Sequence, residues 1–363
     1  MSTTGHNFKT PSLTGRQPDF ERLRTAIKRQ EPDCVPFADL IVEEDVRAAF
    51  LGRPIRGFAD DIEFWACAGY DYLPVALSII KPGRAMAGTA MSSYSVYARQ
   101  YTERTWADMH TGTIVSCEQC AAYPWPDVDA MHVEVLDELA QILPQGMKVL
   151  IQLGKIFTAN WLFQGAETFY LNVYDNPELI EMMYDKIGPL VYATFERVIE
   201  HPVVGAVMHP DDLAGTSGLL LDADHFRRHV FPWYKKMGKI CRQLDKPMIF
   251  HSDGDIWTVM DDVVDAGFEA IHPIDPNAMD INEVMTRYGD RLALIGNIDV
   301  QLLARGTPDD IDGLVKQRIS DLAPGGGYVL GSGNSVPEFV PIENYLAMLR
   351  AGARYGKYPI NGP

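Results

Sequence analysis

Eight short apolar runs constrain this chain more than any other feature: Val35–Leu40, Tyr72–Leu77, Val149–Leu153, Val203–Met208, Pro247–His251, Ala270–Ile274, Leu292–Ile295 and Tyr328–Leu330. Each is largely apolar rather than alternating, and Gly, Pro, Asp or Asn lies close by. A strand of that kind buries both faces, as parallel strands covered by helices do. The stretches between the runs have helical spacing. Asn176–Glu200 places Leu179, Met182, Met183, Ile187, Leu190, Val191, Phe195 and Val198 on one face. Asp222–Leu244 opens on Asp222 as an N-cap, and Ile256–Ala266, Ile281–Tyr288, Pro308–Leu322 and Pro341–Ala353 follow the same scheme. Strand–helix alternation implies a parallel sheet with crossover helices. Eight candidates in one chain favour a closed (β/α)8 barrel of the TIM type over an open doubly wound sheet. No glycine-rich dinucleotide turn follows the first run.

The region 80–125 breaks the pattern. Ser93–Thr105 (SYSVYARQYTERT) alternates with period two, which predicts an antiparallel insertion after the second strand. It reads either as part of a lid over the barrel mouth or as a structural flap. Residues 1–17 are polar and predict a flexible N-terminal arm, leaving 18–363 as a single barrel domain.

Charge narrows the function classes. With 32 basic and 49 acidic residues the chain carries −17, and an acidic surface disfavours nucleic acid. No run of about eighteen apolar residues predicts a membrane span, and the first thirty residues show no signal peptide. Five cysteines form no even framework, which suits a reducing, cytoplasmic setting. Cys117 and Cys120 make a lone CxxC without the second pair that structural zinc needs. His225 and His229 share a helix face and read as a solvated or interface face.

In a barrel of this kind the chemistry belongs at the C-terminal ends of the strands. Five successive runs end in polar residues: His209–Asp212, His251–Asp255, His272–Asp275, Gly296–Asp299 and Gly331–Ser335. Asp and Asn also favour caps and turns, so each residue taken singly has a structural explanation. His251 and Asp253 are two apart, which in an extended segment puts both on one face, able to grip one cation or one substrate group. The alternative makes Asp253 the cap of the helix beginning near Ile256. The aromatics from Phe157 to Tyr174, Trp161 among them, read as core or as the wall of a pocket.

These residues resemble the uroporphyrinogen decarboxylase superfamily, which includes the corrinoid-dependent methyltransferases. The resemblance runs from about Phe20 to Tyr355. It rests on RLRTAIKRQEPDCVPFADL, GKIFTANWLFQGAETFYLNVYDNPELIEMM, HPDDLAG, FHSDGDI, LIGNIDVQLLARGTPDDI and GSGNSVPEFVPIENYLAML. It implies a TIM-type barrel with its site at the C-terminal mouth. True uroporphyrinogen decarboxylases open with Arg-Gln-Ala-Gly-Arg-Tyr, whose arginines clamp the substrate's carboxylates. The corresponding stretch here, Val35–Leu40, has no arginine. Ser332 stands where those enzymes carry a Gly-His-Gly histidine, and Asp211 matches their Asp-Ser-Trp-Ala-Gly aspartate. The zinc-binding methyltransferase branch carries His-x-Cys and a later Cys. This chain keeps His251, with Asp253 and Asn334 in the cysteine positions.

The resemblance therefore implies an enzyme closer to the methyltransferase branch, passing a methyl group from a small donor to a corrinoid protein. His251, Asp211 and Asp253 are its expected catalytic residues, with His251 and Asp253 as ligands of zinc or another divalent metal. Tyr72, Trp161, His209, Asn297, Asp299, Ser332 and Asn334 are the expected substrate contacts. The corrinoid would sit on a separate partner, since no DxHxxG-type motif is visible in the chain. Decarboxylation of a small acid and ligand binding without turnover are the alternatives, the former requiring a cation such as Lys155 or Arg84 at the mouth. Family members occur as monomers and dimers, so a homo-oligomer stays open.

Overall fold

A computed structural model of the chain describes residues 8–78, 112–131 and 133–360. One seven-stranded sheet organises it, in the order β1-β2-β3-β6-β7-β8-β9. Its strands are β1 (Tyr72–Leu77), β2 (Lys148–Leu153), β3 (Val204–Pro210), β6 (Met248–His251), β7 (Ala270–His272), β8 (Ala293–Ile295) and β9 (Tyr328–Val329). Every pairing within it is parallel. The strands are almost wholly buried, as expected of apolar runs covered on both faces.

The first apolar run bridges the sheet's two edges. Ala38 N donates to Leu330 O at 2.8 Å and Leu330 N to Pro36 O at 3.0 Å, with parallel bridges at Phe37↔Leu330 and Val42↔Val336. Tyr72, at the head of β1, accepts from Asp39 N at 3.0 Å and donates to Asp39 O at 2.9 Å. The segment thus touches both edge strands and curls the sheet. The architecture is α/β with a curled parallel sheet, consistent with a TIM-type barrel.

The expected insertion at Ser93–Thr105, like Arg84, lies outside the described residues. The antiparallel strand pair among the described residues is a small hairpin elsewhere, β4 (Ala214–Gly215) with β5 (Gly218–Leu219), just after β3, besides an isolated antiparallel bridge between Cys34 and Lys357. Helices match the spacing closely: Pro177–Ile199, Ile281–Tyr288, Pro308–Leu322 and Ile342–Tyr355. Asp222 does cap its helix, accepting from Asp224 N at 2.8 Å. The helix then breaks at Val230 into Ala223–His229 and Phe231–Leu244. The break sets Pro232 in the first turn of the second helix, where a missing N–H costs nothing.

The polar start is not a loose arm over residues 8–17. Leu13 N donates to Cys67 O at 2.7 Å, Thr10 hydrogen-bonds Glu63, and Arg16 reaches Gly69 O at 3.0 Å while lying over the Phe37 ring. Nor do His225 and His229 form a solvated face. His229 is buried and stacks on Tyr184, whose hydroxyl meets His225 Nε2 at 3.0 Å. No helix among the described residues is long and apolar enough to cross a membrane.

Candidate functional site

The site grows out of one register. The β3–β6 ladder ends with Pro210 opposite His251, so the residues that follow leave the sheet side by side. Asp211 N donates to His251 O at 2.9 Å. Neighbouring residues of an extended segment face opposite ways, and the two aspartates separate accordingly. Ser252 ties the two exits together, accepting from Leu213 N at 2.9 Å and donating to Asp253 O at 3.1 Å. Gly254 (φ +83°) lets the second exit pass the hairpin, because a Cβ there would meet Gly215 O at 2.5 Å.

Asp211 turns inward and its oxygens are filled. Oδ2 accepts from Ile156 N (3.0 Å), Phe157 N (2.8 Å) and the Tyr234 hydroxyl (2.8 Å), and Oδ1 accepts from Thr158 N (2.7 Å). It therefore caps the helix Phe157–Gln164 from a distant strand, satisfying amides that a helix start otherwise leaves open. This expected catalytic carboxylate has become an anchor for the loop after β2.

Asp212 faces the other way, toward His251 and Asp253. Its Oδ1 lies 3.6 Å from His251 Nε2 and accepts from Asp253 N at 3.2 Å, and Asp253 Oδ1 lies 3.9 Å from His251 Nε2. The three side chains each present one ligand atom within 4.8 Å of the others. Asn334 donates to Asp253 Oδ2 at 2.6 Å, while Asp253 Oδ1 has no hydrogen-bond partner among the described residues. Asp253 is not a helix cap. That work falls to Asp255, which accepts from Trp257 N at 3.0 Å.

Electrostatics mark the cluster as unusual. Burial, then the neighbouring Asp212 carboxylate, raises Asp253 to about 7. Burial, with the nearby Lys155 ammonium, pushes His251 down to about 3, so its imidazole is neutral. Behind it, His251 Nδ1 lies 2.7 Å from His272 Nδ1 and the rings stack. One proton sits between those nitrogens, and its owner fixes the tautomer of both rings. Lys155, on the turn after β2, lies 3.7 Å from Asp212 Oδ2.

The other expected contacts scatter. His209 is fully buried against Tyr234 and Phe268, in the layer between sheet and helices, with neither nitrogen hydrogen-bonded among the described residues. Asp299 caps the helix Val300–Arg305, accepting from Gln301 N at 2.8 Å. Tyr72 is engaged by the Asp39 backbone, and Ser332 Oγ meets Asp39 Oδ1 at 2.6 Å. Asn297 is buried at φ +79°, its Nδ2 donating to Ile274 O at 2.6 Å and its Oδ1 without a hydrogen bond among the described residues. Trp161 is half-buried, and its indole N–H has no acceptor among the described residues.

Asp212 and His272 stand outside the expected ligands and substrate contacts, and Lys155 enters the expectations only as the cation that decarboxylation would need. Asp212 had a signal: in a doublet of aspartates at a strand end, one residue must face opposite to the other. The pairing of His251 with His272 had none beyond both lying at strand ends.

A divalent cation fits this arrangement. Ligand distances near 2.1 Å put tetrahedral ligand atoms roughly 3.4 Å apart, and His251 Nε2 lies 3.6 and 3.9 Å from the two carboxylate oxygens. The uncompensated Asp253 Oδ1 is the orphaned buried acceptor that such an ion would satisfy. One imidazole and two carboxylates form a harder set than the thiolate sites the resemblance implies.

Comparison with known proteins follows the same lines. The family model described as Uroporphyrinogen decarboxylase (URO-D) matches residues 93–355. The chain is 29% identical over 184 residues to the uroporphyrinogen decarboxylase of Methylococcus capsulatus, covering 49% of each chain. It is 27% identical over 211 residues to that of Coxiella burnetii, covering 54% of this chain and 55% of the other. The chain thus spans about half the length of the curated relatives it matches. A methyltransferase from Methanosarcina mazei shares the fold with a TM-score of 0.63 at 16% identity, over 95% of this chain and 99% of that one. With a curled parallel sheet, a polar cluster at the C-terminal strand ends and a family match over most of its length, the chain belongs to the uroporphyrinogen decarboxylase family.

Proposed function

We propose that this family member is a metal-assisted methyltransferase, moving a methyl group from a small donor to a corrinoid carried by a separate protein. The observation that carries the reading is the cluster of Asp212, His251 and Asp253, whose ligand atoms converge within 4.8 Å. Those three side chains would hold zinc or another divalent ion. When bound, the ion supplies Lewis-acid stabilisation of the heteroatom that loses its methyl group. The chain's own residues prepare for this. Asn334 fixes Asp253 through Oδ2, leaving Oδ1 for the cluster. Ligation through His251 Nε2 requires the proton on Nδ1, where His272 Nδ1 accepts it. Attack of a nucleophilic acceptor on the methyl carbon leaves the bonding pair on the donor heteroatom, the charge the site must bear.

Lys155 as the cation beside the cluster matches few of the charges of a polycarboxylate, which disfavours the porphyrinogen substrate of the named relatives. Lys155 beside Asp212 favours a second reading, decarboxylation of a small acid. A direct test offers small O-, N- and S-methyl donors with reduced free cobalamin as acceptor. Methylcobalamin formation that falls about 100-fold or more in Asp253→Asn supports methyl transfer. Release of carbon dioxide from small acids, with no methylcobalamin from any donor, would replace it with the second reading.

A further inference from the structure

We infer that Asp39 is a positioning residue for the cluster: as a neutral acid it gives its proton to Ser332, and Ser332 in turn holds the Asn334 arm that orients Asp253. What the arm does for a metal rests on the metal reading above, whereas the arm itself is independent of it.

The arm is the turn that follows β9, and its path is narrow. A Cβ at Gly331 would collide with Ala38 O. On the other side Ile298 N donates to Gly331 O at 3.1 Å, and Ile298 O accepts from Gly333 N at 2.6 Å. Within that frame Ser332 N donates to Asp39 Oδ1 at 2.8 Å. Ser335 N donates to Asn334 Oδ1 at 2.6 Å, which leaves Asn334 Nδ2 to donate to Asp253 Oδ2 at 2.6 Å. Asp39 thus reaches Asp253 through Ser332 and Asn334.

Hydrogen counting sets the state of Asp39. Ser332 Oγ lies 2.6 Å from Asp39 Oδ1 and 2.7 Å from Asn334 O. A serine hydroxyl has a single hydrogen. Given to Asp39, it leaves the Asn334 carbonyl facing a bare oxygen. The carbonyl has no hydrogen to supply, so both contacts are bonds only when Asp39 Oδ1 carries the second hydrogen and donates it to Ser332. On the far side the Tyr70 hydroxyl donates to Oδ2, and the Tyr345 hydroxyl lies 2.8 Å from that of Tyr70. Tyr72 holds the Asp39 backbone. All of these side chains are buried, and no cation pairs with Asp39 among the described residues. An ionised carboxylate there would lack compensation. Burial raises Asp39 above the usual carboxylate range, against the opposing hydrogen bonds from Ser332 and Tyr70.

The experiment is NMR of the metal-free full chain with isotope-labelled aspartate carboxyls and asparagine side-chain amides, followed by zinc titration. The Asp39 signal, identified by its loss in Asp39→Asn and its displacement in Ser332→Ala, is expected at the position of a protonated carboxyl at neutral pH. Ser332→Ala removes one oxygen and adds no bulk. It should speed exchange of the Asn334 side-chain amide protons about tenfold and weaken zinc binding by a similar factor. Asn334→Ala should weaken zinc about as much, and adding Ser332→Ala to it should cost less than about twofold more, because both act through one arm. Two independent structural losses would multiply. An ionised Asp39 at neutral pH, unchanged Asn334 exchange in Ser332→Ala, or zinc losses that are absent or multiply overturns the inference. Failure of wild type to bind zinc overturns the metal reading alone, since both NMR results are read without metal.

Discussion

Two regions of this molecule are built from the same parts and do opposite things. His209, Asp211 and Tyr234 lie in the layer between sheet and helices, and His251, Asp212 and Asp253 lie at the strand ends. In both, a histidine and aspartate stand within a few residues of each other on β3 or β6 and their exits. The difference is what fills the oxygens. Asp211 receives three backbone amides and a tyrosine hydroxyl, so it has nothing left to offer a ligand. Asp253 keeps one buried oxygen without a hydrogen-bond partner among the described residues. A saturated carboxylate holds a fold together, and an unsaturated one waits for chemistry.

Neighbouring aspartates give the sharpest way to break the comparison. Asp211→Ala strands three buried amides and the Tyr234 hydroxyl, and should cost roughly 3–5 kcal/mol in urea unfolding. Asp212→Ala removes a half-exposed carboxylate and should stay within about 1 kcal/mol, while zinc affinity falls about 100-fold or more. A larger stability loss at Asp212 than at Asp211 would reverse the assignment.

His209 tests it through pH. Burial alone pushes His209 down to about 3. Below the unfolded value near 6.5 the unfolded chain takes up a proton that the folded chain refuses. Stability from this group is therefore complete above pH 6.5 and is lost as pH falls from 6.5 toward 3, by about 1.4 kcal/mol per unit. His209→Leu abolishes that linkage and removes two unpartnered nitrogens. The slope of unfolding free energy against pH between 6 and 4 should drop by about one proton, with zinc binding at neutral pH unchanged. An unchanged slope would place His209 in contact with solvent.

How far the sequence speaks follows from the range of the interactions. Burial on both faces is written locally, so the apolar runs located β1, β2, β3 and β6–β9. Val35–Leu40 differs: it bonds Leu330 on one side and Tyr72 on the other, making isolated bridges in place of a ladder. Caps such as Asp222 are equally local. Asp211 is not, because its three backbone partners are 53 to 55 residues away and Tyr234 is 23 away, and nothing in HPDD tells which aspartate will meet them. The i, i+2 spacing of His251 and Asp253 did place both in one cluster, whereas the stack of His251 on His272 depends on the β6–β7 register. His209 shows the converse: a histidine at a strand end that turned into the core.

Elemental analysis of the untagged protein, purified without chelator beside His251→Ala, tests the metal assignment most directly. About one equivalent of zinc or another divalent metal in wild type, lost in the variant, is the expected result. Protein free of metal in both preparations, after exposure to zinc and removal of the excess, would contradict it.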